Sequence, residues 1–511
     1  MKHFYVKTLS LLLAVVMVFG MLSGFTYTAD AAETYSYVLV RSAKNLTNGE
    51  YLLLAAATGE YKGNYNYYAM TTKEDSKYAM IQGAGQSFTT LPTTLNLDSS
   101  IRDQFAWTIQ GDLNGMTMET PAGTFLTATS DSTAVSLTEQ GSQWVAAYSA
   151  DQKTFSFSAL NRYLGLRSDV GTTGTNGMCG FTTVNYNSGD VRFYVYKRVN
   201  TEELKSVLLY HSLNLASDIS INYILPKNQF DGFEQLRMEL DRPIYEGNTL
   251  VNWETILMEP VEKGEYFYFT VEDMTAVQMN NILQATFYAH KDGVDYMTES
   301  DYYSIGTYAY NQLNKEGTTT ELRNVCAELL RYGGSSQQYK KYRTDAPVDS
   351  AMTEEHKAYL SPLEDVVFGS MNQILNDCAD ATVTWAGIGL DLQTKVTVRM
   401  VLNLDNYTGS PEDLTLRVDV SDFYGGEITY TVENCELYNE EKNLYAFDFS
   451  ELKAAELRSV LSAAVFVGNK QVSATRLYSV DTYGNGKTGE LGTTCRALIA
   501  YADAARVYFG Q

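Results

Sequence analysis

The sequence predicts a mainly β protein with some α-helix: an N-terminal β-trefoil-like or small β-barrel domain, then two homologous α+β units, each a β-sandwich capped by a helical hairpin. Three observations predict this. Residues 34–200 are rich in Thr, Ser, Gly and aromatic residues in short alternating runs. A strictly alternating run at 213–225, which predicts one half-buried strand, recurs at 390–402. The sequence pattern of residues 301–342 recurs from Arg476 to the C-terminus.

The domain boundaries follow from these patterns and from changes in composition. A polar stretch with Pro347 and Pro362 separates the two copies and is typical of a linker. The predicted organisation is a signal peptide at 1–31, an all-β barrel or trefoil-like domain at 32–200, repeat unit 1 at 201–342, a linker at 343–380 and repeat unit 2 at 381–511.

The N-terminus has the pattern of a secretory signal. Lys2 and Lys7 precede an apolar run that ends near Phe25, and Ala29-Asp30-Ala31 has the small residues of a cleavage site. An uncleaved membrane anchor is the alternative, because the apolar run approaches the spanning length of about 20 residues. No later stretch is as apolar. We therefore expect the chain to be secreted and extracellular, and it could be associated with the cell surface. After cleavage we expect no insertion into a membrane.

Charge limits the classes of partner. The 511 residues carry a formal net charge of −23, which repels polyanions and makes nucleic acid an unfavourable partner. Neutral glycans remain compatible with this charge. Cys326 and Cys495 occupy equivalent positions on an apolar helix face in the two copies, which favours buried thiols over a disulfide.

The N-terminal domain contains a weak internal repeat. Trp107 and Trp144 are each followed by an apolar strand and then by an aromatic-Leu step at Phe125 or Tyr163. On these residues the domain resembles ricin-like lectin modules and the small barrels attached to secreted bacterial hydrolases. The resemblance implies that both Trp side chains lie in the core. The lectin motif has Gln two residues before Trp, whereas Gln143 directly precedes Trp144 here, so no sugar-binding residue is carried over.

Two tyrosine-rich loops of this domain are the candidate ligand site. Aromatic rings beside amide groups suit a sugar, because its C–H patches stack on the rings and its hydroxyls need hydrogen bonds. The alternative is that these are ordinary strand residues in a chain with 39 tyrosines. The candidate ligand-binding residues are Tyr65, Asn66, Tyr67, Tyr68 and Tyr186.

The two C-terminal copies share strands, turns and helices. Asp292-Gly293 predicts a type I′ hairpin turn, with Gly468-Asn469 at the same place in the second copy. Gly333 and Gly334 lie inside a helical pattern, and because Ala502 is the counterpart of Gly333, we predict a continuous helix in which position 333 must be small. This arrangement resembles tandem modules of uncharacterised secreted and surface proteins of Gram-positive gut clostridia, which implies extracellular deployment and no assigned activity.

No motif indicates catalysis, a cofactor or a metal site. Gly484-Asn-Gly-Lys-Thr lacks the first Gly of a phosphate loop. His356 follows Glu354 and Glu355 and is expected to be solvated, and His290 to be exposed beside a hairpin turn. The leading hypothesis is a secreted, non-catalytic binding or adhesion protein that contacts a glycan or surface glycoprotein through the N-terminal domain. The alternatives are a structural scaffold that binds a protein partner through the tandem repeats, and a carboxylate-dependent polysaccharide hydrolase.

Overall fold

A computed structural model describes residues 34–56, 65–75, 80–129, 134–167, 178–184, 192–200, 204, 206–214, 219–392, 396–421 and 426–510. The predicted signal peptide at 1–31 and the candidate residue Tyr186 therefore lie outside the described residues. The chain divides into two compact units. Unit 1 runs to Val40 and from Leu46 to Arg198, and unit 2 comprises Arg41–Asn45 together with everything from Val199. The protein is mainly β, as the sequence predicts.

Unit 1 consists almost entirely of strands, with one short helix, α1 (Ser99–Arg102). The strands are β1 (Thr34–Leu39), β2 (Gly49–Ala56), β3 (Tyr67–Asp75), β4 (Met80–Gln86), β5 (Thr94–Asp98), β6 (Trp107–Asp112), β7 (Gly115–Glu119), β8 (Phe125–Ala128), β9 (Val135–Thr138), β10 (Val145–Ser149), β11 (Thr154–Ala159), β12 (Arg162–Arg167), β13 (Met178–Val184) and β14 (Phe193–Asn200), of which the last two residues belong to unit 2.

Seven of these strands close into an antiparallel barrel. The ring runs β2–β3–β4–β13–β12–β11–β14 and returns to β2. Trp107 and Trp144 are fully buried in its core, as predicted, and each indole N–H donates to a backbone carbonyl, of Met70 at 3.3 Å and of Leu126 at 3.0 Å. A buried indole needs such an acceptor, because an unpaired polar group in a core is costly.

A second apolar layer covers part of the outer face of the barrel. β1 pairs antiparallel with β5, and Leu95 and Leu97 of β5 pack with Leu52 and Leu54 of β2. Strand β2 is therefore buried on both faces: Leu53 belongs to the barrel core, and its two neighbours belong to the outer core. Alternation of apolar and polar residues cannot mark the inner face of such a strand.

The first part of unit 2 contains two sheets. Its strands are β15 (Tyr210–Asn214), β16 (Ser220–Pro226), β17 (Glu234–Glu246), β18 (Thr249–Met258), β19 (Val261–Lys263), β20 (Tyr266–Val271), β21 (Leu283–Lys291), β22 (Val294–Met297) and β23 (Asp301–Tyr303). One sheet has the order β15–β16–β20–β19, and in the other β17 pairs with β18 and β21. Phe269 and Phe287 meet between the sheets with ring centroids 5.4 Å apart, in a sandwich-like core.

The second part has a sheet in the order β25–β26–β30–β29 and another in the order β24–β33–β31–β27–β28. The strands are β24 (Asn372–Ile374), β25 (Thr384–Asp391), β26 (Thr397–Asn403), β27 (Leu414–Ser421), β28 (Glu427–Val432), β29 (Glu436–Asn439), β30 (Leu444–Phe449), β31 (Leu461–Val467), β32 (Lys470–Gln471) and β33 (Arg476–Tyr478). Strand β24 comes from the predicted linker and pairs with β33.

The alternating run at 213–225 is not one strand, which corrects the sequence interpretation. It is divided between β15 and β16, which pair with Leu213 opposite Ile221. Directly opposite residues of an antiparallel pair face the same side of the sheet. Because these two positions differ by an even number, the odd-numbered residues of both strands face that side, and the alternation continues across the turn. The run at 390–402 is divided in the same way between β25 and β26, with Leu390 opposite Val398.

The described residues of unit 2 form four α-helices: α2 (Ile305–Asn314), α3 (Thr320–Lys340), α4 (Glu354–Lys357) and α5 (Gly489–Tyr508). Ser304 caps α2, because its hydroxyl accepts from the N–H of Thr307 at 3.0 Å. Before α5, residues Val480–Gly484 form a 3₁₀ turn, whereas α2 precedes α3. No helix of the described residues is long and apolar enough to span a membrane.

Helix α3 continues through Gly333 and Gly334, as predicted. The segment after α3 folds back over the helix, and Val348 packs on it. A Cβ on Gly333 would lie 2.7 Å from a methyl group of Val348 and 2.7 Å from the sulfur of Met279. The N–H of Val348 donates to the side-chain oxygen of Gln337 at 2.7 Å. The glycine therefore makes room for the returning segment.

Helices α3 and α5 pack against each other. Tyr332 and Tyr501 stack with nearly parallel rings 6.2 Å apart. Burial raises the pKa of Tyr332 and that of Tyr501. The electrostatic effect of Cys495 raises the pKa of Tyr332 further, and that of Cys326 raises the pKa of Tyr501 further. Each tyrosine therefore lies near the cysteine of the other helix. Cys326 and Cys495 are buried free thiols, as the sequence predicts.

Candidate ligand-binding surfaces

Two of the candidate residues in unit 1 are packing residues. Tyr68 points into the barrel core and is 4% exposed. Tyr65 meets it edge to face at 6.1 Å, and a Cβ on Gly85 would lie only 2.3 Å from a ring carbon of Tyr65. The Tyr65 ring therefore covers the backbone of β4 and packs against the ring of Tyr68.

Asn66 holds the chain that leaves β4. Its amide nitrogen donates to the carbonyl of Phe88 at 2.7 Å, and its amide oxygen accepts from the N–H of Phe88 at 3.2 Å. Both ends of the amide are thus in use within the protein. An amide held in this way positions Phe88 and has little capacity left to bind the hydroxyl of a sugar.

Tyr67 faces the other side of β3 and belongs to an aromatic group. Its ring centroid lies 5.6 Å from that of Phe88 and 5.7 Å from that of Tyr194, and all three residues are half-buried. Burial raises the pKa of Tyr67, and Tyr194 adds to the effect. We call Tyr67, Phe88 and Tyr194 the Tyr67 cluster. Phe88 and Tyr194 were not predicted, because they lie far from Tyr67 in sequence and only the barrel brings them together.

Unit 2 contains an open cleft of about 270 Å³ at the C-terminal end of α3. Its walls include Tyr339 and Lys340 of α3, Asp391 of β25, Arg399 of β26, Tyr438 of β29 and Tyr483 of the 3₁₀ turn. We call these six residues the α3 cleft. Tyr438 is the most open of the three rings, with 54% of the residue exposed. The residues come from five separate elements, and the sequence interpretation identified none of them as a site.

The α3 cleft contains both positively and negatively charged side chains. Arg399 donates two hydrogen bonds to Asp448 of the neighbouring strand, from Nε at 2.8 Å and from Nη2 at 2.5 Å. These bonds raise the pKa of Arg399, and Asp391 adds to the effect. The Lys340 ammonium lies 5.2 Å from the ring centroid of Tyr339. The lining thus contains Lys340, Asp391 and an Arg399 that is paired with Asp448 outside it, and the cleft offers a donor as well as an acceptor.

A buried ionic cluster lies on the polar face of β17 in unit 2. Arg41 is 2.8 Å from Glu239 and also bonds Asp241, and both carboxylates are almost fully buried. Thr255 of β18 donates to Asp241 at 2.6 Å. Burial raises the pKa of Glu239, although Arg41 acts in the opposite direction. The cluster holds residues 41–45 on this sheet, and its groups bond one another, so we assign it to stability.

The histidine predictions need correction. His290 is half-buried, and its Nδ1 lies 2.7 Å from Asp295, which in turn accepts from Arg237. His356 is 7% exposed and its Nε2 lies 3.1 Å from the amide oxygen of Asn314. It is therefore a structural residue between α4 and α2 and not a solvated linker residue. No group of three or more metal-ligating side chains occurs within the described residues.

Comparison of the chain with protein-family models finds no match, and no curated protein matches its sequence significantly.

Proposed function

We propose that this chain is a secreted, non-catalytic binding or adhesion protein that contacts a carbohydrate or a surface glycoprotein through unit 1. The observation that carries the proposal is the Tyr67 cluster, in which three half-buried rings gather on the outer side of the barrel. Partly exposed rings held by their neighbours offer apolar ring faces at little entropic cost, and a tyrosine hydroxyl adds a hydrogen bond. Sugars need both properties.

Binding of the full-length protein to a broad glycan array tests this proposal. We expect Tyr67→Ala and Tyr194→Ala to weaken binding about three- to tenfold, the loss that corresponds to one aromatic contact of about 0.5–1.5 kcal/mol. Tyr210→Ala is the matched control, because Tyr210 is an exposed tyrosine of unit 2. No glycan binding by the wild type, or equal binding by all three variants, would refute the proposal.

We further propose that the barrel is a trefoil-like module and that unit 2 is a pair of homologous β-sandwiches, each with helices attached, in a surface protein like those of gut clostridia. The two four-stranded sheets of unit 2 have corresponding strand orders, which supports the homology of the two sandwiches. Tyr332 lies near Cys495 and Tyr501 lies near Cys326, and this symmetry supports it as well. Secretion by cleavage after Ala31 would be tested by N-terminal sequencing of the exported protein, and an intact Met1 would contradict it.

One observation favours the alternative of a protein-interaction scaffold. Among the described residues β18 pairs with β17 alone, and its exposed side chains include Leu250, Val251 and Trp253. A free strand edge with apolar side chains suits a protein partner that adds a strand. Capture of a defined surface protein by the full-length chain, lost when Val251→Lys is introduced and kept with Tyr67→Ala, would favour this role over glycan binding.

A further inference from the structure

We propose that the α3 cleft of unit 2 is a second ligand site, separate from the Tyr67 cluster, and that it binds a short neutral oligosaccharide. Its volume of about 270 Å³ lies near the lower end of the range of small-molecule sites, about 300–1,000 Å³, which suits one or two sugar rings. Tyr339, Tyr438 and Tyr483 supply aromatic surface, and Lys340, Asp391 and Arg399 supply polar groups.

The balance of charge in the cleft decides the class of sugar. Every sugar hydroxyl both donates and accepts, so a site that binds several of them needs donors and acceptors together. Lys340 is a donor and Asp391 an acceptor in the lining, whereas Arg399 is paired with Asp448 of the neighbouring strand, so the four formal charges cancel. An acidic sugar would meet Asp391 in a chain of net charge −23. A neutral, hydroxyl-rich ligand avoids that repulsion.

The other small sheet of unit 2 carries a neutral row at the corresponding strand positions. In β15–β16–β20, Asn222 stands opposite Ser212 on one side and Thr270 on the other; in β25–β26–β30, Arg399 stands opposite Gly389 and Asp448. Asn222 accepts from Thr270 at 2.7 Å and donates to Ser212 at 3.1 Å. The sheet beside the cleft thus differs from the other small sheet in carrying a charged pair and a glycine at these positions.

Gly389 opens the floor of the cleft. It takes the place that Ser212 has in the other sheet, and a Cβ built on it would meet no atom within 4 Å. Its φ is not in the left-handed region, so a larger residue is compatible with the backbone. The glycine thus leaves space beside Arg399, although the backbone conformation of the strand does not require a glycine at this position.

The test fills the space beside Gly389 with a larger side chain. Full-length protein is titrated calorimetrically with neutral gluco-, galacto- and manno-oligosaccharides of two to four rings and with uronic acid oligomers. We expect binding of a neutral oligosaccharide that falls at least about tenfold in Gly389→Phe, since the ring would fill the cleft. Gly387→Phe is the matched control, on the same strand and with equally open space, but outside the cleft lining. It should bind within about twofold of the wild type.

A second variant guards against misfolding of the first. Tyr438→Ala removes a largely exposed ring and should weaken binding about three- to tenfold while leaving the circular dichroism spectrum unchanged. Tyr67→Ala should leave this affinity unchanged, which separates the cleft from the site proposed in unit 1. Absence of neutral oligosaccharide binding, binding of uronic acid oligomers alone, or full affinity in both Gly389→Phe and Tyr438→Ala would overturn the proposal.

Discussion

Replacement of Arg41 by methionine should destabilise unit 2 strongly, because Arg41 is the cation of a buried cluster. Methionine keeps most of the length of the side chain and removes the charge. Glu239 and Asp241 would then be buried carboxylates without Arg41, and breaking a buried pair in this way typically costs about 3–5 kcal/mol. We expect a loss of that size in the free energy of unfolding at pH 7.

The loss should shrink as the pH falls. The native pKa of Glu239 is raised by burial from its ordinary value of 4.5. A raised pKa means that the native state favours the protonated acid, so the stability that this group contributes is complete below its unfolded pKa and is lost as the pH rises through the native one. Without Arg41 the native pKa rises further. The variant is therefore expected to be closest to wild type at pH 4 and furthest from it near neutrality.

The assay is a urea titration at pH 7 and at pH 4, read by hydrogen exchange of peptides from β17 so that unfolding of unit 2 is followed by itself. Arg242→Met is the matched control, because Arg242 on the same strand bonds Glu254 at the surface, and an exposed pair contributes about 0–1 kcal/mol. A loss below about 1 kcal/mol for Arg41→Met, or an equal loss at both pH values, would refute the reasoning.

Three further predictions concern the helices of unit 2. Tyr332→Leu and Tyr501→Leu should show a coupling energy of about 0.5–1.5 kcal/mol in a double-mutant cycle by urea unfolding, since the rings stack; additive losses would contradict the contact. Gly334→Ala should lower stability by about 1–3 kcal/mol in spite of its better helix propensity, because the added Cβ would lie 2.1 Å from Asp349 Oδ1, and a raised melting temperature would argue against this close contact. Cys326 should resist iodoacetamide at pH 8 in the native protein, because burial makes it inaccessible and raises its pKa to about 12; labelling within minutes, measured by mass spectrometry, would contradict its burial.

Local patterns were read correctly where local chemistry decides the structure. Asp292 and Gly293 both have positive φ, at 51° and 78°, as a type I′ turn requires. The continuous path of α3 through Gly333 followed from its counterpart Ala502 in sequence, and the buried Trp residues followed from the resemblance to lectin modules. In each case the residues that decide the outcome are neighbours in sequence or recur in the second copy.

The sites were harder to predict because the packing of distant elements forms them. Tyr67 and Tyr68 look alike in sequence, yet one lies on the outer face of the barrel and the other in its core. Their alternation gives two faces, but both faces of this barrel carry apolar layers. His356 stands in a polar segment and is buried by contact with Asn314, 42 positions away. The α3 cleft joins residues from 339 to 483, and no local motif marks such a set.

The stacking of Tyr332 on Tyr501 has a consequence for any shorter form of this chain. Two tyrosines from helix segments of similar sequence meet each other there, as in the self-complementary contact of a symmetric dimer. A protein made of residues 201–342 alone would expose that face of α3, and a second identical molecule could supply the missing tyrosine. We expect such a fragment to form homodimers in sedimentation experiments, in which the association of two molecules replaces the covalent link between the two halves.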